Sequence, residues 1–286
     1  MTQISSKKNK AIEIPKMIIY TGKILQFLSS SLTVKFVVKL FTTPIKYKAP
    51  KREFEMKKNS IQELFMIPAL NKKINVYHYG KGEKKALIVH GWSGRGTQMY
   101  KIADALIDKG YSVLSFDAPA HGKSESKTSL MPEFMKSILE LDKKFGPFEV
   151  TIGHSIGGVA ILNASKRGFK TNKIITIGAA DKISDIAIEF IKQLQLKQSI
   201  TPKLIHYFES TLNQKMSDYD SFHAIQNLEC PLLLIHDKND DEVPFYCAEN
   251  IHKHSKNSVL FATNHLGHRK ILASEVVINE ILRFLN

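Results

Sequence analysis

Cysteine is scarce in this chain: Cys230 and Cys247 are the two thiols among 286 residues. Two thiols cannot build a disulfide framework, and they suit a reducing compartment. Long uncharged apolar runs are missing too. Between residues 17 and 41, Lys23, Lys35 and Lys39 leave Ile24 to Val34 as the longest such run, short of the roughly 20 residues that a spanning helix needs. Acidic residues are few at one end. Residues 1–60 hold 13 Lys/Arg against 3 Asp/Glu, whereas the whole chain holds 41 against 27. The basic character belongs to the N-terminal arm, and the remainder is close to balanced. The sequence also lacks internal repeats, low-complexity tracts and a Walker or dinucleotide glycine loop, which argues against repeat architectures and nucleotide chemistry.

What is present describes a globular chain. Hydrophobic residues make up 43% and charged residues 24%, which excludes global disorder and fibrous architectures. A chain of this length buries about three quarters of its unfolded surface and needs neither a disulfide nor a metal to hold it. The basic arm, residues 1–58, is expected to form one or two amphipathic helices packed on the body, residues 59–286. Lys7, Lys8 and Lys10 precede its apolar stretch, but that stretch ends in Phe41-Thr42-Thr43-Pro44, not in a small-residue cleavage site. Attachment to a membrane interface is the alternative for this arm. No aromatic interleaving or nucleic-acid module accompanies the lysines, so no nucleic-acid partner is expected. The expected location is cytoplasmic, with no membrane contact or only weak peripheral contact.

From about residue 61 short apolar runs alternate with helical stretches. Strands are predicted at residues 61–67, 74–79, 86–89, 111–116, 148–152, 174–177, 231–235 and 259–262. Helices are predicted at 97–109, 131–145, 156–167, 245–254 and 271–284. This alternation implies a mostly parallel central sheet with helices on both faces. Residues 181–226 interrupt it. They lack strand character and carry Ile186, Phe190, Ile191 and Leu194 at helical spacing. They read as a helical cap insertion, expected to lie over Ser155 and to form an apolar acyl pocket.

The chemistry-bearing motif is Gly153-His154-Ser155-Ile156-Gly157-Gly158, placed where an apolar strand turns straight into a helix. The Gly-x-Ser-x-Gly pattern in that context lifts a serine hydroxyl above the sheet, and the N–H of Ile156 at the helix start can donate to an oxyanion. Such a nucleophile needs a base and an orienting carboxylate, both of which should follow at the ends of later strands. The strand at 231–235 runs into His236-Asp237-Lys238-Asn239-Asp240-Asp241, and the strand at 259–262 into Thr263-Asn264-His265-Leu266-Gly267-His268. Asp181, Asp237, Asp240 and Asp241 are rival acids, and His265 and His268 are rival bases. His252 and His254 fall on different faces of a helix, and no zinc-type spacing occurs, so no metal is expected.

Taken together, these residues resemble the α/β-hydrolase superfamily over residues 75–286. His90-Gly91-Trp92-Ser93-Gly94 is similar to its oxyanion loop, and Asp117-Ala118-Pro119-Ala120-His121-Gly122-Lys123-Ser124 to its Asp-x-x-Gly-His-Gly-x-Ser turn. His236 through Pro244 resembles its acid loop, with Asp237 in the place of a glycine, and Gly267-His268 its final Gly-His. The resemblance implies an α/β-hydrolase fold. It further implies a catalytic Ser155, Asp240 and His268, with the Trp92 and Ile156 N–H groups as the oxyanion hole and no cofactor. The expected substrate is a small acyl ester or thioester. Acyl transfer, a peptidase-like activity on the same triad, and an idle ligand-binding pocket with a membrane-docking arm stay open.

Overall fold

The structure is a computed structural model and describes residues 14–286. The start of the expected arm, with Lys7, Lys8 and Lys10, lies outside the described residues. Two helices come first, α1 (Lys16–Leu28) and α2 (Ser30–Thr42), then a short α3 (Phe54–Asn59). They lead into β1 (Ile61–Ile67), β2 (Lys72–Tyr79), β3 (Lys84–Val89), α4 (Tyr100–Asp108), β4 (Tyr111–Asp117) and α5 (Met131–Phe145). Next are β5 (Phe148–His154), α6 (Ile156–Lys166) and β6 (Thr171–Ile177). The strandless stretch holds α7 (Ile183–Gln193), α8 (Thr201–Leu212) and α9 (Ser221–Ala224). The chain closes with β7 (Leu232–Asp237), α10 (Tyr246–Lys253), β8 (Ser258–Thr263), α11 (Gly267–Lys270) and α12 (Glu275–Leu285).

The eight strands form one sheet in the order β1-β2-β4-β3-β5-β6-β7-β8. β2 is antiparallel to both of its neighbours, and every pair from β4 across to β8 is parallel. This is the mostly parallel sheet that the alternation of elements implies, in the α/β-hydrolase fold that the resemblance implies. Side chains alternate between its faces, as the two-residue period requires. Leu87 and Val89 of β3 join the core beneath α2, α5, α6 and the 181–226 helices, while Ala86 and Ile88 join the core beneath α4 and α12.

The ladder runs past the apolar runs into polar residues. β4 ends on Asp117, β5 on His154 and β7 on Asp237, each one or two residues beyond the predicted end. Backbone pairing does not depend on side-chain polarity, so hydropathy alone ends these strands too early. The three polar ends share the C-terminal edge of the parallel sheet, where ligands of open α/β sheets bind. The last helix differs more. It is predicted from Ile271 but begins at Glu275, because Ser274 is extended at φ −78° and ψ 128°. A separate helical turn, α11, holds His268 instead of a loop.

Residues 181–226 form helices, but their apolar residues divide. Ile191 and Leu194 are fully buried in the core, whereas Ile186 and Phe190 are half-buried beside it. Phe190 stacks edge-on against Phe41 of α2, with ring centroids 5.3 Å apart, and Phe41 lies 5.4 Å from Phe208 of α8. α2 also buries Val34 and Val37, so this helix shares the core of the sheet. Val37→Ala should therefore destabilise the whole protein by about 2 kcal/mol, through lost burial and the small cavity left behind. The fluorescence of Trp92, the single tryptophan, reports the transition. An unmoved Trp92 melting curve would show that α2 melts apart from the sheet.

Candidate active site

β5 enters its helix without a loop: His154 is the last strand residue, Ser155 the turn and Ile156 the first helical residue. Ser155 has φ 53° and ψ −123°, a backbone state that costs an L residue about 1–3 kcal/mol and persists only when its surroundings impose it. Here its N–H donates to the Ile177 carbonyl of β6 at 2.8 Å, and its own carbonyl accepts from the N–H groups of Gly158 and Val159 at 3.0 and 3.2 Å. Gly157 permits the turn. A Cβ at that position would stand 2.4 Å from the Val89 carbonyl oxygen and 2.6 Å from that of His90. The start of α6 is thus pressed against the end of β3.

That contact brings the loop after β3 to the serine. A Cβ on Gly91 would lie 3.2 Å from the Ser155 Cβ. Among the described residues, neither the Trp92 N–H nor the Ile156 N–H has a hydrogen-bond partner. The first N–H groups of a helix have no intrahelical acceptor and carry its positive dipole end. His90 braces the loop. Its Nε2 accepts from the Ala118 N–H at 3.0 Å, so its Nδ1 carries the proton and donates to the Gly91 carbonyl at 2.7 Å. Asp117 braces the far side, with one carboxylate oxygen accepting from the Gly96 N–H and the other from the Tyr77 hydroxyl and the Lys123 N–H.

The rival acids occupy different surroundings. Asp240 places Oδ2 2.7 Å from His268 Nδ1, while its Oδ1 accepts from the N–H groups of Glu242 and Val243 at 2.9 and 2.8 Å. The side chains of His268 and Asp240 are 5% and 1% exposed. Gly178, at φ 61° after β6, leaves space for this pair: a Cβ there would be 3.1 Å from His268 Nδ1. Asp237 turns towards the β8 loop, where it accepts from the Asn239 N–H, the Thr263 hydroxyl and the Leu266 N–H. Asp181 accepts from the Asn250 amide at 2.5 Å, and Asp241 is exposed. His265 is exposed as well, at φ 62°, with its N–H bonded to the Asn239 side chain.

Four further histidines surround the site, and burial holds each below its ordinary pKa. One is His236, whose Nε2 donates to the Val243 carbonyl at 2.8 Å and lies 3.6 Å from Asp240 Oδ2. His90 falls to about 4 and His121 to about 3. His154 is pushed well down by burial and then by the neighbouring His268. Its Nε2 donates to the His268 carbonyl at 2.9 Å, and the two rings lie 4.6 Å apart. His121 packs against Trp92, His90 and Phe134 and organises the loop. Arg95 faces Glu53, 3.6 Å away.

Two supports escaped the sequence reading. Glu53, buried at the end of the arm, accepts from the Thr97 hydroxyl at 2.7 Å, and the Ile45 N–H donates to Ser93 Oγ in the loop after β3 at 3.0 Å. One signal was available for the first: Glu53 ends a stretch, Ile14 to Arg52, that holds no acidic residue.

Both kinds of group predict pH effects on stability. Burial alone would raise the Asp237 pKa, but hydrogen bonds from Thr263, Leu266, Gly267 and Asn239 outweigh it and hold the carboxyl below the usual range. A depressed carboxyl adds stability that is present above the unfolded pKa and lost as pH falls through the folded one. Asp237→Asn should lower the melting temperature at neutral pH and matter progressively less in strong acid. The neutral histidines act at higher pH. Between about 6.5 and about 4 the unfolded chain takes up protons that folded His90 and His121 refuse, so stability should fall across this window. Thermal melts of His121→Phe should show a shallower decline.

The profile of the family described as "Serine aminopeptidase, S33" matches residues 80–225, half of the chain. That region contains Trp92, Ser155 and Ile156 and stops before Asp240 and His268. The human "Serine hydrolase BPHL" is 26% identical over 213 residues, 64% of this chain and 73% of that protein. The human "Palmitoyl-protein thioesterase ABHD10, mitochondrial" is 23% identical over 54% of this chain, and the match spans only 56% of its own length. Among solved structures, an esterase from Pyrococcus furiosus superposes with a TM-score of 0.67 at 18% identity, covering 85% of this chain and 98% of that one. The chain thus belongs to the serine aminopeptidase S33 family, within the α/β-hydrolase superfamily.

Proposed function

We propose that this protein is a serine hydrolase that cleaves a carboxylic ester or thioester through an acyl-serine intermediate. The observation that carries the reading is the 2.7 Å contact between His268 Nδ1 and Asp240, made on the same sheet edge as the strained Ser155 turn. In this mechanism Ser155 Oγ attacks the acyl carbon and His268 Nε2 takes its proton. Asp240 holds Nδ1–H and stabilises the imidazolium. The N–H groups of Trp92 and Ile156 receive the oxyanion. The alcohol or thiol departs with the proton from Nε2, and a water deprotonated by His268 then releases the acid and regenerates Ser155. The route uses no cofactor. The names of the similar proteins, a serine hydrolase, a thioesterase and an esterase, support oxygen and sulfur esters. The family description favours peptides as a second reading.

An assay on p-nitrophenyl esters of graded chain length, an acyl thioester and an aminoacyl p-nitroanilide separates these readings. Faster turnover of the anilide than of every ester would favour the peptidase. Ser155→Ala should leave the fold intact and cut ester turnover by about 10⁶-fold, as when a nucleophile acting within a triad is removed. Asp240→Asn should cost about 10⁴-fold by holding the wrong histidine tautomer. His268→Ala should nearly abolish turnover, whereas His265→Ala should not. Failure of the wild-type protein to label with a fluorophosphonate probe would sink the proposal and leave an idle binding pocket.

A further inference from the structure

Helix α1 is turned the wrong way for a helix whose apolar residues all serve the core. Its buried residue is Gly22, packed against Leu196 and Phe36. The inner face is tied down by half-buried Ile18 packed against the core, by Lys23 donating to the Gln195 side chain, and by Gln26 accepting from the Lys197 N–H. The outer face is apolar. Met17 is 78% exposed, Tyr20 62%, Ile24 61%, Phe27 91% and Leu28 66%. At 100° per residue these five fall within an arc of about 100°. Lys16 and Lys23 flank one side of it. Leu32, 47% exposed at the start of α2, lies just beyond its end. A contiguous apolar face bordered by cations marks an interaction surface rather than scattered exposure.

Charge selects the occupant. From Ile14 to Arg52 the chain has eight Lys/Arg and no Asp/Glu. The cations include Lys35, which with Lys203 and His206 lines a groove of about 540 Å³ between α2 and α8. A second copy docking face to face would bring two such basic segments together, and a nucleic acid would leave Phe27 and Met17 in water. An anionic lipid surface satisfies both halves: its acyl boundary takes the apolar arc and its headgroups the lysines. No helix among the described residues is long and apolar enough to cross a membrane, so the helix would lie in the interface plane.

We infer that α1 is a membrane-docking helix that seats the protein on an anionic lipid surface through Met17, Tyr20, Ile24, Phe27 and Leu28. Beyond α2 the chain exposes Ile45 and Tyr47 beside Lys46 and Lys48, and the Ile45 N–H holds Ser93 in the loop next to Ser155. The docking segment is therefore continuous with the support of the candidate active site. The inference itself does not depend on what Ser155 does.

The test is co-sedimentation of the full chain with vesicles of phosphatidylcholine alone or mixed with phosphatidylglycerol. The protein should bind the mixed vesicles at least about tenfold more tightly than the neutral ones, and the difference should shrink as salt is raised from about 0.1 to about 0.5 M, where screening shortens the reach of each lysine. The triple variant M17S/I24S/F27S removes three exposed side chains and should keep the wild-type melting curve while losing about tenfold or more in vesicle binding. Absence of binding to the mixed vesicles overturns the inference. So does binding that the triple variant retains, which would make the lysines alone responsible. A concentration-dependent dimer in sedimentation velocity, abolished by the same variant, would assign the face to a second copy instead.

Discussion

A strand that becomes a helix within one residue is the constraint on which the rest of the site depends. Ser155 is held at positive φ because three elements fix it at once. β6 accepts its N–H, α6 donates to its carbonyl, and the absence of a side chain on Gly157 lets the helix start touch the end of β3. None of these contacts can be relaxed alone, since the strands involved are neighbours in a single parallel sheet. The same turn puts His154 under His268 and sets the loop that follows β3 against the serine. The strain is thus a property of the sheet, and the hydroxyl inherits its position from buried backbone.

Around that turn the carboxylates are distinguished by their donors rather than by their sequence neighbours. Asp117 and Asp237 are saturated by backbone N–H and hydroxyl groups and serve as cross-braces, the first for the loop after β3 and the second for the loop that leads to His268. In Asp240 two backbone N–H groups engage one oxygen and leave the other directed at His268. Burial holds His90, His121, His154 and His236, the last 3.6 Å from Asp240, below the ordinary histidine pKa. A positive charge developing on His268 in the proposed mechanism would therefore meet one anion and no competing histidine cation.

The arm is built on two principles. α2 and the residues after it take part in the body, through Val34 and Val37 in the core, Phe41 against Phe190 and Phe208, Ile45 on Ser93, and Glu53 on Thr97. α1 touches the body by Gly22, Ile18 and a few polar bonds and keeps Met17, Tyr20, Ile24, Phe27 and Leu28 outside. Removing acids from this whole segment has different effects on its two parts. In α2 it leaves lysines at the solvent edge of a packed helix, whereas in α1 it leaves an open apolar face with lysines along one side and no acid nearby in the sequence.

The sequence by itself determined the order of strands and helices, because hydrophobic periodicity and turn residues are local quantities. It singled out Ser155 as the candidate nucleophile as well, since a Gly-x-Ser-x-Gly pattern between an apolar strand and a helix has few other uses. It left the choice among candidate acids to resemblance. Asp237, Asp240 and Asp241 lie within five residues, and nothing in their spacing says which backbone N–H groups will face them. That was decided by the closure of β7 against β8 and by the α11 turn, which places His268 in a helix instead of the expected loop. The arm shows the same division. Composition located its charge, but α1 carries apolar residues on more than one side, Ile18, Ile19 and Leu25 as well as the arc from Met17 to Leu28, so periodicity alone did not choose its inner face. Packing made that choice: the small Gly22 allows the close approach to Leu196 and Phe36, and the opposite side, with Phe27 at its centre, is left in solvent.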